Sequence, residues 1–314
     1  MFKPRILNLG IGIWDSSEIW KLGYRTAGMA SIIVQLLIIG TLQGGIYALA
    51  AFGLSLIFGV SNVLNLAHGQ FLMLGGLFSY ILFMATKWNP LLLSLILIPL
   101  FFVFGFLFER GLVRPLLERK GHELVIASIL VTLGASLAIE DITSFFWGPE
   151  EKGISYIMPS IDLGGMVISS IRLLGLLFIV LLTVAVHLFL KKTYTGRALR
   201  ATTQNRQGAM LMGVNTFRIS SITFGIGTIL ASAAGVFYVI LFTITPFIGI
   251  PLSIKYLCII VMGGLGSLYG SLLGGLILGI TEAFTGFFAP HWSETAAFFI
   301  LVAILLIRPK GLLG

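Results

Sequence analysis

The sequence predicts an all-α integral membrane protein with about eight transmembrane segments, some of them broken or re-entrant. Three observations lead there. First, 57% of the 314 residues are apolar and only 10% are charged, against about 45–50% and about 25% in ordinary soluble domains. The mean hydropathy is +1.04. Second, the charges fall in clumps. None occurs from Thr26 to Thr86, from Ile219 to Ile254, or from Tyr256 to Thr281, and about 20 apolar residues suffice for one crossing. Third, glycine is abundant, with 38 copies, as suits helices whose backbones approach closely in lipid.

The spans are expected at 28–58, 69–86, 90–112, 123–147, 168–190, 217–243, 252–286 (broken) and 293–308. Residues 28–314 then form one membrane domain, and 1–27 a separate interfacial segment. In that segment Asp15 and Glu18 fit a capping box, with Trp14 and Ile19 placed as a staple. Trp14, Trp20 and Tyr24 suit a short helix at headgroup level. Residues 1–25 show no compact apolar stretch followed by a small-residue cleavage site, so the first span is expected to direct insertion and remain.

The first span is too long for one straight crossing and too short for two, and it ends in the polar run Asn62-Val-Leu-Asn65-Leu-Ala-His68-Gly-Gln70. Buried amides must be hydrogen-bonded; these either tie a helix break together or face a pathway. The third span leads into a loop with Arg110, Arg114, Arg119 and Lys120, and the fourth into an acidic loop with Glu150, Glu151 and Asp162. The fifth leads into residues 191–218, which hold Lys191, Lys192, Arg197, Arg200, Arg206 and Arg218 and no acid. The chain ends with Arg308 and Lys310. Basic loops stay in the cytoplasm, so these three basic regions are expected inside and 148–165 outside. The seventh span is interrupted by Met262-Gly263-Gly264-Leu-Gly266-Ser-Leu-Tyr-Gly270, a glycine density that breaks or bends a helix. It is expected to enter and leave on the outer side. Interrupted segments in both halves of a chain point to a translocation site, and they imply a duplicated architecture.

The net charge of +8 is explained by the cytoplasmic loops, so no nucleic-acid partner is expected. The single cysteine, Cys258, excludes an internal disulfide and a cysteine-rich metal site. His68 is a lone histidine; His122, His187 and His291 lie on distant segments. No metal, cofactor or catalytic constellation is expected. The glycines at 263–279 are not a phosphate loop, because no Lys-Ser/Thr follows and no strand precedes them. Glu282 and the pair Glu140-Asp141 are intramembrane acids, which default to a functional hypothesis. In the 191–217 loop, Ala198, Ala201, Asn205, Ala209 and Met212 follow helical spacing and make a small-residue face. Such a face allows close docking into a groove on a partner.

Three stretches together resemble the permease subunits of branched-chain amino-acid ABC importers. They are Gly53-Leu-Ser-Leu-Ile-Phe-Gly59 running into Leu64-Asn-Leu-Ala-His-Gly-Gln-Phe-Leu-Met-Leu-Gly-Gly76; Gly196-Arg-Ala-Leu-Arg-Ala with Asn205 and Gly213-Val-Asn215; and Val261-Met-Gly-Gly-Leu-Gly-Ser-Leu-Tyr-Gly-Ser-Leu-Leu-Gly-Gly275. The wording around His68 is similar to that of the H-type subunit. The resemblance implies a multi-pass protein of a bacterial-type cytoplasmic membrane, itself no enzyme. It implies two ATPase subunits, a second permease (a different chain or a copy) and an extracytoplasmic solute-binding protein. It implies that Gly196, Arg197, Ala198, Arg200, Ala201, Asn205, Ala209 and Gly213 form the ATPase-coupling loop. Cargo in this family includes Leu/Ile/Val, and relatives carry urea, short amides and other small polar solutes. Asn62, Asn65, His68, Gln70, Gly263, Gly264, Gly266 and Glu282 would line or gate the pathway. The alternative is an ion-coupled secondary transporter or channel that uses Glu282 and Glu140 and leaves the basic loop without a role.

Overall fold

The computed structural model describes residues 29–314, except 120, 157, 158, 160, 163–166, 169 and 314. The expected interfacial helix and its capping box lie outside the described residues. Among those residues, nine helical stretches are long and apolar enough to span a membrane. The count exceeds the expected eight because the broken seventh segment is two helices.

Helix α1 (Met29–Ser61) is continuous for 33 residues, about 50 Å at the α-helical rise. It therefore takes up by length what the sequence leaves ambiguous. The chain then runs without helix to α2 (His68–Thr86). Helix α3 (Pro90–Phe108) starts behind an Asn89 cap and continues through a π turn (Glu109–Val113) and a 3-10 turn (Arg114–Glu118). Helix α4 (His122–Trp147) follows, then a two-residue β-hairpin pairing Ile161 with Ile168 and Asp162 with Val167. Helix α5 (Ser170–Lys192) ends on two lysines. Two short helices come next, α6 (Tyr194–Gln204) and α7 (Arg206–Leu211), each capped by the preceding side chain, Thr193 and Asn205. Helix α8 (Thr216–Leu241) is followed by a 3-10 turn (Pro246–Ile248), α9 (Gly249–Gly263), α10 (Leu268–Phe288) and α11 (Ser293–Ile307).

Helix α8 is the most enclosed of the spanning helices, with 72% of its most apolar stretch buried, whereas 6% is buried at 290–307. The enclosed helices carry glycine where they cross. A Cβ on Gly53 of α1 would meet Gly227 O at 2.7 Å, and one on Gly275 of α10 would meet Ala48 Cα at 2.5 Å. No larger residue fits at those crossings.

Helices α1–α2–α3 and α8–α9–α10 repeat one plan in opposite directions. Each set has a long helix, an interruption, a helix starting at mid-depth, and a long returning helix. Helix α1 packs antiparallel on α8, with Ser61 Oγ 3.0 Å from Ser220 Oγ and Gly53 against Gly227. Helix α10 returns along α1, and α3 returns along α8, where Gly105 lies against Phe224 and Thr228. Each returning helix brings one buried glutamate against the long helix. Glu282 faces Gln43 and Tyr47; Glu109 takes a 2.5 Å hydrogen bond from Ser221 Oγ. A duplication is present as an inverted repeat, but the break at 62–67 corresponds to the segment between α8 and α9 and not to the glycine run at 263–270 from which the duplication was expected.

One end of the bundle gathers the basic segments 109–119, 191–218 and the C-terminal residues. Arg114 Nη2 donates to Ser221 at 2.7 Å, and Leu312 N donates to Met262 O at 2.9 Å. Charge places this end in the cytoplasm. Helices α9 and α10 turn there at Gly264 (φ +105°) and Gly266 (φ +81°), so on this charge assignment the pair enters and leaves on the outer side. At the other end Lys152 and Ile244 exchange backbone hydrogen bonds of 2.9 and 2.8 Å.

Candidate functional site

The interruption after α1 is the first component. Asn62 takes a left-handed conformation (φ 53°), which asparagine tolerates better than most residues. The chain then climbs back beside α4, and its freed backbone groups find side chains. Leu64 N–H donates to Ser128 Oγ at 3.3 Å, and Leu66 N–H donates to Thr132 Oγ1 at 3.0 Å. Thr132 Oγ1 lies 3.2 Å from Leu64 O and 2.7 Å from Ser128 O. Non-helical backbone at membrane depth requires such partners.

Helix α2 therefore starts inside the bundle, at the level of the middle of α1. His68 Nε2 lies 2.9 Å from Ala50 O; because a carbonyl only accepts, Nε2 carries the proton and Nδ1 is the acceptor. Gly69 N–H donates to Ser253 Oγ at 2.7 Å, so the N-termini of α2 and α9 meet. A Cβ on Gly69 would lie 2.0 Å from Gly249 O; only glycine permits that approach. Gln70 Nε2 donates to Glu140 Oε2 at 3.2 Å.

A polar thread continues from this junction through the bundle. The His68 ring makes an edge contact with Tyr256 (6.2 Å between centroids), and Tyr256 packs on Tyr47 at 6.3 Å. Tyr47 OH donates to Glu282 Oε2 at 2.9 Å, and Gln43 Nε2 donates to the same oxygen at 2.8 Å. The other oxygen, Glu282 Oε1, is 2.8 Å from Lys255 Nζ, with side-chain exposures of 3% and 15%. Asn65 Nδ2, His68 Nδ1, Gln70 Oε1 and the Tyr256 hydroxyl are buried without a hydrogen-bond partner among the described residues. Lys255 lies at the edge of a cleft of about 520 Å³ bordered by α9 and α11.

The structure thus brings Asn65, His68, Gln70 and Glu282 into one interior region. It places Asn62 and the glycines 263, 264 and 266 elsewhere, at the cytoplasmic end, where Gly266 faces Gly59. Sequence reasoning missed Tyr47, Tyr256 and Lys255. Lys255 had a signal: it alone separates the charge-free runs Ile219–Ile254 and Tyr256–Thr281. The two tyrosines had none, because aromatic residues in apolar runs are ordinary core.

The cytoplasmic loop divides its predicted residues by face. Gly196, Ala198 and Ala209 are buried against the bundle, whereas Arg197, Arg200, Ala201, Asn205 and Gly213 face out. The small-residue face is therefore not a single docking surface: Asn205 breaks the helix, and the inward alanines pack on the protein's own spans. Beside the outward residues stand Leu211 and Met212, 89% and 84% exposed, with Met210 and Tyr194.

An inverted helical repeat, interrupted at mid-depth and carrying a basic loop on one side, defines a multi-pass membrane permease. The chain belongs to the branched-chain amino acid transport system permease component family, whose model matches residues 36–307. It is a multi-pass protein of the cytoplasmic membrane. It is 32% identical to the high-affinity branched-chain amino acid transport system permease protein BraD of Pseudomonas aeruginosa, over 90% of this chain and 95% of that one. It is 30% identical to the corresponding protein LivH of Escherichia coli, over 88% and 93%. A shorter match, 29% identical over 41% of each chain, is to the autoinducer 2 import system permease protein LsrC of Photorhabdus laumondii. No solved structure matches.

Proposed function

We propose that this chain is one permease subunit of an ATP-driven importer. In this reading it works with a second permease, two ATPase subunits and an extracytoplasmic solute-binding protein. The cargo is a branched-chain amino acid; urea or a short amide is the competing cargo. The observation that carries the proposal is the exposed tip Met210-Leu211-Met212 on the basic loop between α5 and α8. This tip stands at the charged cytoplasmic end, away from the apolar faces of the spans. Exposed apolar side chains in water mark an interaction surface. Helices α6 and α7 join α5 to the central helix α8, so a push on the tip is delivered to the most enclosed span. The ion-coupled alternative needs a carboxylate free to take an ion; Glu282 is already held by Lys255, Tyr47 and Gln43, and Glu140 takes a hydrogen bond from Gln70.

The test is reconstitution of the chain with its co-purifying subunits in liposomes. Leucine uptake should require ATP, and Leu211→Glu should release the ATPase subunits while leaving the permease folded. Uptake by this chain alone, without ATP, would overturn the reading.

A further inference from the structure

The cleft bordered by α9 and α11 combines an apolar wall with charges of both signs. Its walls are apolar, with Phe247, Ile248, Leu252 and Phe298, and two charges of opposite sign stand on its border, Lys255 and Glu294. An ammonium has three donors. Lys255 Nζ forms an ion pair with Glu282 Oε1 at 2.8 Å and donates one hydrogen bond, to the Tyr47 hydroxyl at 3.4 Å. Its side chain is 15% exposed and borders the cleft, so the ammonium keeps donor capacity for a ligand. Glu294, in the first turn of α11, is exposed and has no ion-pair partner among the described residues.

We propose that this cleft is a solute position that takes an aliphatic α-amino acid by both charged groups. The carboxylate is received by Lys255, the ammonium by Glu294, and the side chain lies on the apolar wall. The cleft volume of about 520 Å³ lies within the ordinary range for small-molecule sites, about 300–1,000 Å³. A neutral solute such as urea would use neither charge and would leave the wall bare. The position also adjoins the polar thread, because the lysine that would receive the carboxylate is the one that holds Glu282. The inference rests on the importer reading and gives its cargo a position in this chain.

Cys258 borders the same cleft and is the chain's one cysteine, so it reports occupancy without relying on transport. The assembled importer is treated with a small thiol reagent, and modification is followed on the Cys258 peptide by mass spectrometry. Ile254→Cys supplies a second, more exposed reporter on the same cleft. Millimolar leucine should slow modification. 4-Methylpentanoate, which lacks the amine, and isopentylamine, which lacks the carboxylate, should each protect about tenfold less well, as loss of one charge contact implies. Glu294→Gln should abolish leucine's advantage over 4-methylpentanoate. Lys255→Met combined with Glu282→Gln, which leaves no unpaired charge in the core, should abolish its advantage over isopentylamine. Equal protection by all three compounds, no protection by leucine, or two reporters that never react would each overturn the proposal. ATP-driven uptake is measured on the same liposomes. Uptake that persists while protection fails to discriminate removes the cleft assignment alone; discriminating protection without ATP-driven uptake removes the importer reading.

Discussion

Lys255 and Glu282 form an ion pair inside an apolar bundle, with 15% and 3% side-chain exposure. Removing one member of such a pair leaves an uncompensated charge, at a cost of about 3–5 kcal/mol. Glu282→Ala should therefore lower the thermal midpoint of the detergent-solubilised protein markedly. The double change Lys255→Met with Glu282→Leu should recover most of the loss, and a double variant as unstable as the single one would show that the pair is not the cause. Asn62 makes a gentler case. Its left-handed backbone suits asparagine or glycine. Asn62→Val should cost about 1–2 kcal/mol, and Asn62→Gly much less, measured by the same melt. At this scale the sequence names the residues, but it does not say that Glu282 and Lys255 face each other.

The segment between α1 and α2 is held by hydroxyls of α4. Thr132→Val removes the acceptor for Leu66 N–H and should cost about 1–3 kcal/mol, the price of a buried donor left unpaired. Amide exchange at Leu66 should speed up with it; unchanged protection there would mean the backbone finds another partner. Both helix interruptions were legible, one as a run of amides and histidine and the other as a run of glycines. Their depths were not. The run at 62–70 turns back into the bundle because Ser128 and Thr132 can satisfy its backbone. The run at 263–267 lies at the cytoplasmic end, where Ser55 Oγ donates to Ser267 O at 3.3 Å and residues 311–313 cover it.

For the whole molecule, the coupling loop is where the importer reading meets experiment. Arg197→Glu and Ala201→Trp change outward-facing positions. Both should cut ATP-driven uptake while leaving the melting temperature near that of the parent, because neither side chain packs on the spans. Ala198→Trp serves as the contrast: its site is 6% exposed, so overpacking of about 1–3 kcal/mol should appear in the melt itself. Normal uptake in the first two variants would remove the loop from the coupling role.

The sequence by itself determined the membrane class, the span boundaries to within a few residues, the cytoplasmic end and the family motifs. All of these follow from local hydropathy, charge and residue order. The tertiary structure alone decided that residues 43, 47, 65, 68, 255, 256 and 282 share one interior region, and that Ala198 and Ala209 turn away from the loop's outer face. The physical reason lies in how helices associate in lipid. Every face of an apolar helix is equally soluble there, so periodicity does not mark the face that is buried. Which faces meet is set by close approach at glycines such as Gly53 and Gly275, and by polar groups that find each other across more than two hundred residues of chain, as Gln43 and Glu282 do.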